Sequence, residues 1–122
     1  MAPFFFALQA MEDNLIHHLE QFVTERRLQL INRVLSLRTR YITVVLEDIY
    51  QSHNASAVLR SCDCFGIQDV HIIENRNTYQ VNPDVALGSH KWLTLYKYSG
   101  EQTNSAHVLA RLKEAGYRIV AT

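Results

Sequence analysis

Four apolar side chains fall within five positions at Ile42-Thr43-Val44-Val45-Leu46, and Ile42, Val44 and Val45 are β-branched. A strand with one face in water alternates apolar and polar residues. A near-continuous run instead marks a strand covered on both faces, which is the condition of a parallel sheet flanked by helices. Val70, Ile72 and Ile73 make a second strand of this kind. Between the two lies His53-Asn54-Ala55-Ser56-Ala57-Val58-Leu59-Arg60-Ser61-Cys62-Asp63-Cys64-Phe65-Gly66. This segment reads as a helix over about residues 55–65, capped by Ser52 or Asn54 and closed by Gly66 in the left-handed conformation.

The remaining elements follow from spacing. Leu15, Ile16, Leu19, Phe22 and Val23 recur at helical intervals, so residues 10–23 are expected to form an amphipathic helix. Thr24 is placed to cap a second helix, whose apolar set is Leu28, Ile31, Val34 and Leu35. Residues 75–88 lack periodicity and read as a long loop. Residues 92–98 alternate as a third strand, 106–115 form a helix ended by Gly116, and 117–121 form a fourth strand. The expected order is α-α-β-α-β-β-α-β: a helical extension over residues 1–40 and an α/β domain over 41–122. Strands alternating with helices favour a mostly parallel sheet.

Composition narrows the class. The chain has 122 residues, 48% hydrophobic and 20% charged, which suits a globular domain with a real core. Twelve basic and twelve acidic side chains balance, so net charge gives no sign of a nucleic-acid partner. The local distribution differs. Between Glu25 and Arg40 the bases are Arg26, Arg27, Arg33, Arg38 and Arg40, against Glu25 alone. Such a run is either a solvated basic face or a set of phosphate contacts. The opening Pro3-Phe4-Phe5-Phe6-Ala7-Leu8 is too short to span a membrane and follows no basic residue. It is expected to be a sticky segment that packs on a neighbour. Cys62 and Cys64 are one residue apart, a spacing that serves neither a redox pair nor a zinc site. Both are expected to be small core residues in a reducing, cytoplasmic setting. No metal site is expected, since no second histidine or carboxylate stands at ligand spacing from His90. No glycine-rich phosphate loop or serine-hydrolase elbow occurs.

Within this frame the stretch YITVVLEDIYQSHNASAVLRSCDCFGIQDVHIIE, followed by GSHKWLTL, resembles the first half of SpoU-type RNA ribose 2'-O-methyltransferases of the SPOUT superfamily. Within that family it is similar to the tRNA (guanosine-2'-O)-methyltransferase group. The resemblance runs from about Arg26 to Thr122, and its register rests on Asn54, Arg60, Cys62-Asp63 and Gly66. It implies the amino-terminal part of an α/β knot fold and S-adenosylmethionine-dependent methylation of tRNA or rRNA. No residue here matches the family's knot and cofactor loops. The expectation is therefore a substrate-side half, inactive alone, without cofactor-binding residues and prone to self-association or homodimer formation. The competing expectation is a non-catalytic module that binds RNA or a protein partner.

The resemblance assigns roles to particular residues. Arg60 matches an arginine that engages the substrate phosphate and assists the 2'-hydroxyl; spacing alone equally allows a surface pair with Asp63, three residues on. Asn54 matches an asparagine at the strand-to-helix turn, where it serves as an N-cap, a substrate contact, or both. Ser56, one turn before Arg60, is a candidate RNA contact or a small residue on a solvent face. Ser89, His90 and Lys91 follow Gly88 in a turn whose backbone amides and lysine suit a phosphate, or simply lead into a strand. Arg26, Arg27, Arg38 and Arg40 complete the expected RNA-binding set.

Overall fold

The computed structural model describes residues 2–100 and 104–122, with side chains from residue 10 onward. The Phe4-Phe5-Phe6 side chains, expected to be adhesive, lie outside the described residues. The chain divides into two compact units, Met1–Leu37 and Arg38–Thr122.

The first unit holds helices α1 (Ala2–Glu20) and α2 (Glu25–Ser36). Thr24 caps α2 as its type predicts, its hydroxyl accepting from the Arg27 amide at 3.4 Å. The apolar residues of α1 do not find a core within this unit: Met11, Leu15, Ile16 and Leu19 are exposed, as is Phe22 in the turn that follows.

The second unit is α/β, with a parallel three-stranded sheet in the order β1-β2-β3. Its strands are β1 (Val44–Glu47), β2 (Asp69–Glu74) and β3 (Thr94–Ser99). Helix α3 (Ser52–Cys64) connects β1 to β2, and α5 (Asn104–Glu114) follows β3. A short helix, α4 (Pro83–Ala86), and a 3₁₀ turn at Ser89–Lys91 interrupt the long β2–β3 connection. Residues 38–40 join this unit rather than the helical extension. Thr39 bridges Ile67 in parallel, and Arg38 and Arg40 pair with Asp63 and Asp69.

Register fixes which side chains share a face. Val44, Val70 and Leu95 align, as do Leu46 and Ile72. Against this face α3 packs Ala55, Leu59 and Cys62, forming the main core with Tyr79 and Leu93. The other face carries a smaller core, Ile73, Val108 and Leu112, with Val45 and Tyr98 packed beside it. Gly66 (φ 73°) and Gly116 (φ 94°) close α3 and α5 as expected. After each glycine the next amide turns back to the helix, Ile67 to the Cys62 carbonyl at 2.9 Å and Tyr117 to the Leu112 carbonyl at 3.0 Å.

Two sequence expectations are corrected: the connection expected to be a plain loop over residues 75–88 contains α4, and the expected fourth strand is absent among the described residues. Residues 117–121 alternate in burial but form no strand. Tyr117 and Ile119 pack on the Ile73 core, and the Tyr117 hydroxyl donates to the Arg40 carbonyl at 2.6 Å. Period-two patterning reports which side chains point inward; a ladder also needs a neighbouring backbone, and these residues have none among those described.

Candidate functional site

The site forms around α3 and the connections at the carboxyl ends of β1 and β2. Helix α3 begins earlier than its capping residues suggest. Gln51 occupies the N-cap position without a side-chain cap, and its carbonyl accepts from the Asn54 amide at 3.0 Å. Neither Ser52 nor Asn54 is therefore the cap, because both lie inside the first turn. Asn54 is exposed there, its side-chain nitrogen 3.4 Å from Gln51 Oε1.

The two faces of α3 lie in very different environments. Ala55, Ser56, Leu59 and Cys62 are buried against the sheet. Arg60 points away and is exposed. It lines an open cleft of about 400 Å³ with Ala57, Ser61, Cys64, Phe65 and Val85. Phe65 is 81% exposed, unusual for a phenylalanine. The expected local partner of Arg60 is already engaged: Asp63 pairs with Arg38 from the segment before β1. Among the described residues Arg60 makes no ion pair. Its guanidinium faces a cleft wall containing no carboxylate.

That pairing also corrects Arg38 as an RNA contact. Its side chain is only 8% exposed and is committed to Asp63. Arg40 reaches Asp69 Oδ2 at 3.2 Å, so it too has an internal partner, although much of its side chain stays in solvent. Arg26 and Arg27 lie exposed on α2, in the helical unit. Ser56 is likewise corrected as an RNA contact. It is 0% exposed, and its hydroxyl meets the Tyr79 hydroxyl at 3.0 Å and accepts from the Asn82 amide at 3.0 Å. Cys62 is core as expected, and burial pushes its thiol pKa up; Cys64 is exposed in the cleft instead.

The Gly88–Trp92 turn packs against α3. The amides of Lys91 and Trp92 bond within the turn, to the Gly88 and Ser89 carbonyls at 3.1 and 3.0 Å, and so are not offered to a phosphate. Lys91 is exposed, whereas Ser89 is buried. Ser89 Oγ and His90 Nδ1 are buried without a protein partner.

Three polar groups escaped the sequence reading. Asp48, at the end of β1, has φ 49°, a conformation rare outside glycine. Its Oδ1 accepts from the amides of Asn75, Arg76 and Asn77 at 3.2, 2.7 and 2.8 Å. Those bonds, with Asn77 foremost, hold its carboxyl below the ordinary aspartate range. Tyr79 is buried under α3, and burial pushes its phenol pKa up. On the opposite face of the sheet, His71 bonds the Tyr98 hydroxyl through Nδ1 at 2.9 Å and stacks on Tyr96 at 4.9 Å. Burial lowers the His71 pKa, with Asp69 opposing and Arg111 adding to the shift. The alternation Asp69-x-His71 inside an otherwise apolar strand was the available signal for this last group.

Chemically, the exposed side of α3 offers a guanidinium with no ion-pair partner among the described residues in one cleft with an aromatic ring, and a primary amide in the helix's first turn. A planar guanidinium can meet two phosphate oxygens at once, and an exposed ring can stack on a base.

Comparison with known proteins gives a consistent setting. Residues 41–122 match the sequence pattern of the SpoU rRNA Methylase family. The tRNA (guanosine(18)-2'-O)-methyltransferase of Borreliella burgdorferi is 46% identical over 92% of this chain and 51% of its own length. That of Thermus thermophilus is 35% identical over 81% of this chain and 49% of its own length. The crystal structure of the A. aeolicus TrmH/SpoU tRNA modifying enzyme superposes with a TM-score of 0.70 at 29% identity, covering 80% of this chain and 48% of that one. The chain thus spans about half the length of the curated relatives it matches.

Proposed function

The chain belongs to the SpoU rRNA Methylase family, and on that premise we propose that it is the substrate-facing part of a tRNA ribose 2'-O-methyltransferase. The observation that carries this reading is the state of Arg60. The one acid within helical reach is held by Arg38, and the guanidinium is left exposed at a cleft. A cation so placed suits a backbone phosphate of the substrate RNA.

In this reading Arg60 fixes the phosphate next to the reacting ribose, so that the 2'-hydroxyl cannot drift. Positioning of this kind supplies much of the acceleration of a group transfer. The same charge favours loss of the hydroxyl proton by stabilising the developing oxyanion. Asn54, exposed in the first turn of α3, is a second contact for the same nucleotide. Lys91, Arg26 and Arg27, all exposed, supply longer-range attraction for the RNA backbone.

The methyl donor of the proposed reaction is S-adenosylmethionine, which brings an electrophilic methyl on a sulfonium. The cleft beside Arg60 does not fit that group, because its charged lining is cationic and repels a sulfonium. In this reading the described residues serve the acceptor RNA. Homodimer formation belongs to the same proposal, supported by unpaired outer edges on β1 and β3 among the described residues. The two free cysteines suit a cytoplasmic setting.

The deciding experiment uses the enzyme of full family length that carries this chain. It is incubated with labelled S-adenosylmethionine and unmodified tRNA, and the RNA is digested to nucleosides. A 2'-O-methylated nucleoside is expected. Label on a base, or none in RNA, overturns the proposal.

A further inference from the structure

Asp48 stands between β1 and α3, six residues before Asn54, and gathers more backbone donors than any other side chain described. Its own carbonyl accepts from the Asn77 side-chain amide at 3.0 Å, and its own amide donates to the Ile73 carbonyl at 2.8 Å. One residue thus ends β1, turns the chain toward α3 and gathers the segment leaving β2. The left-handed backbone persists because these bonds over-determine it.

The segment it holds leads straight to α3. The Tyr79 amide donates to Glu74 Oε1 at 2.8 Å, and Lys97 Nζ donates to the Tyr79 carbonyl at 2.8 Å. From there the Tyr79 hydroxyl and the Asn82 amide both reach Ser56 Oγ. Ser56 lies two residues after Asn54 and one turn before Arg60. The bonds form a closed circuit from the end of β1, across residues 75–82, into the second turn of α3. That circuit lies at the carboxyl ends of parallel strands, where open α/β sheets hold their ligands.

We infer that Asp48 is a positioning residue: by clamping the Asn75–Asn77 amides it fixes the segment that grips α3 at Ser56, and so sets where Asn54 and Arg60 meet the RNA. This rests on the functional reading above. Asp48 touches no reacting atom in it. Its effect passes through Tyr79, Asn82 and Ser56 to residues that do, and a displacement of about 1 Å in such a site can cost on the order of 10²-fold in rate.

The test measures single-turnover methyl transfer to tRNA, tRNA affinity and thermal melting in the enzyme of full family length. Asp48→Ala is expected to slow transfer by about 10²-fold at saturating tRNA and cofactor, with tRNA affinity little changed. Asp48→Asn keeps an acceptor oxygen and tolerates the same backbone, so it is expected to recover most of that loss. Tyr79→Phe, which keeps the buried ring but loses the bond to Ser56, is expected to slow transfer as well, and it carries the test if the alanine variant does not fold. Wild-type rates in Asp48→Ala or Tyr79→Phe overturn the inference, even if melting falls, because the clamp would then be structural only. Equal loss in the alanine and asparagine variants also overturns it, since charge rather than acceptor geometry would be responsible. A wild-type enzyme that transfers no methyl overturns the functional reading, and this inference with it.

Discussion

The two faces of α3 differ in how completely their polar groups are satisfied. On the buried face Ser56 has two partners, and Leu59 is wholly enclosed. On the outer face Arg60 has no ion-pair partner among the described residues, and Phe65 stands in solvent. The helix is closed on one side and open to solvent on the other. Folding requires the first condition, since a buried polar group without a partner costs free energy. The second carries no such penalty, because water solvates an exposed guanidinium, and in the proposed function it leaves Arg60 available to a substrate phosphate.

The largest expected effect tests the outer face. Arg60→Ala should reduce single-turnover methyl transfer on the order of 10²–10³-fold while melting stays near wild type. Arg60→Lys should recover only part, because an ammonium keeps the charge without the planar fork. Near-wild-type transfer in the alanine variant would break the comparison outright.

The buried face should answer in stability instead. Leu59→Ala removes a fully enclosed side chain and should cost about 2–5 kcal/mol in denaturant unfolding. A loss well below that range would mean that the α3 core can collapse around the gap.

Two serines on the same helix sharpen the contrast. Ser56→Ala strips partners from Tyr79 and Asn82 and should cost about 1–3 kcal/mol. Ser61 is exposed and bonds only the Ala57 carbonyl, at 3.2 Å, so Ser61→Ala should stay within about 0.5 kcal/mol. Comparable losses from both would place Ser56 among ordinary surface residues.

The smallest effect concerns the far side of the sheet. Burial holds the folded-state pKa of His71 below the ordinary 6.5. As pH falls through that value the unfolded chain takes up a proton that the folded chain resists, so stability declines; above it the contribution is complete. Melting followed between about pH 5 and 8 should therefore be flatter in His71→Asn than in the parent. Parallel curves would show that His71 titrates as it would in water.

Patterns within a few residues were the ones legible in advance. The apolar run at Val44–Leu46, the glycine stops at Gly66 and Gly116 and the cap at Thr24 are each decided by their immediate neighbours. The partner of Asp63 was not, because two arginines compete for it. Arg60 is nearer in sequence, but Arg38, twenty-five residues away, holds it in the fold. Ser56 misled for a related reason: a small polar residue beside an exposed arginine reads as exposed until Tyr79 is brought over it. The role proposed for Arg60 rests on the family resemblance; its freedom from Asp63 is visible only in three dimensions.

The segment between Glu74 and Asn82 looks like slack chain, the kind of surface connection in which insertions and deletions usually accumulate. Its amides at 75, 76, 77, 79 and 82 are each claimed by a side chain fixed elsewhere. It therefore works as a ruler. One added residue would carry Tyr79 past Ser56, and one removed would leave it short. Its length is therefore set by the fold, whereas its exposed side chains are not.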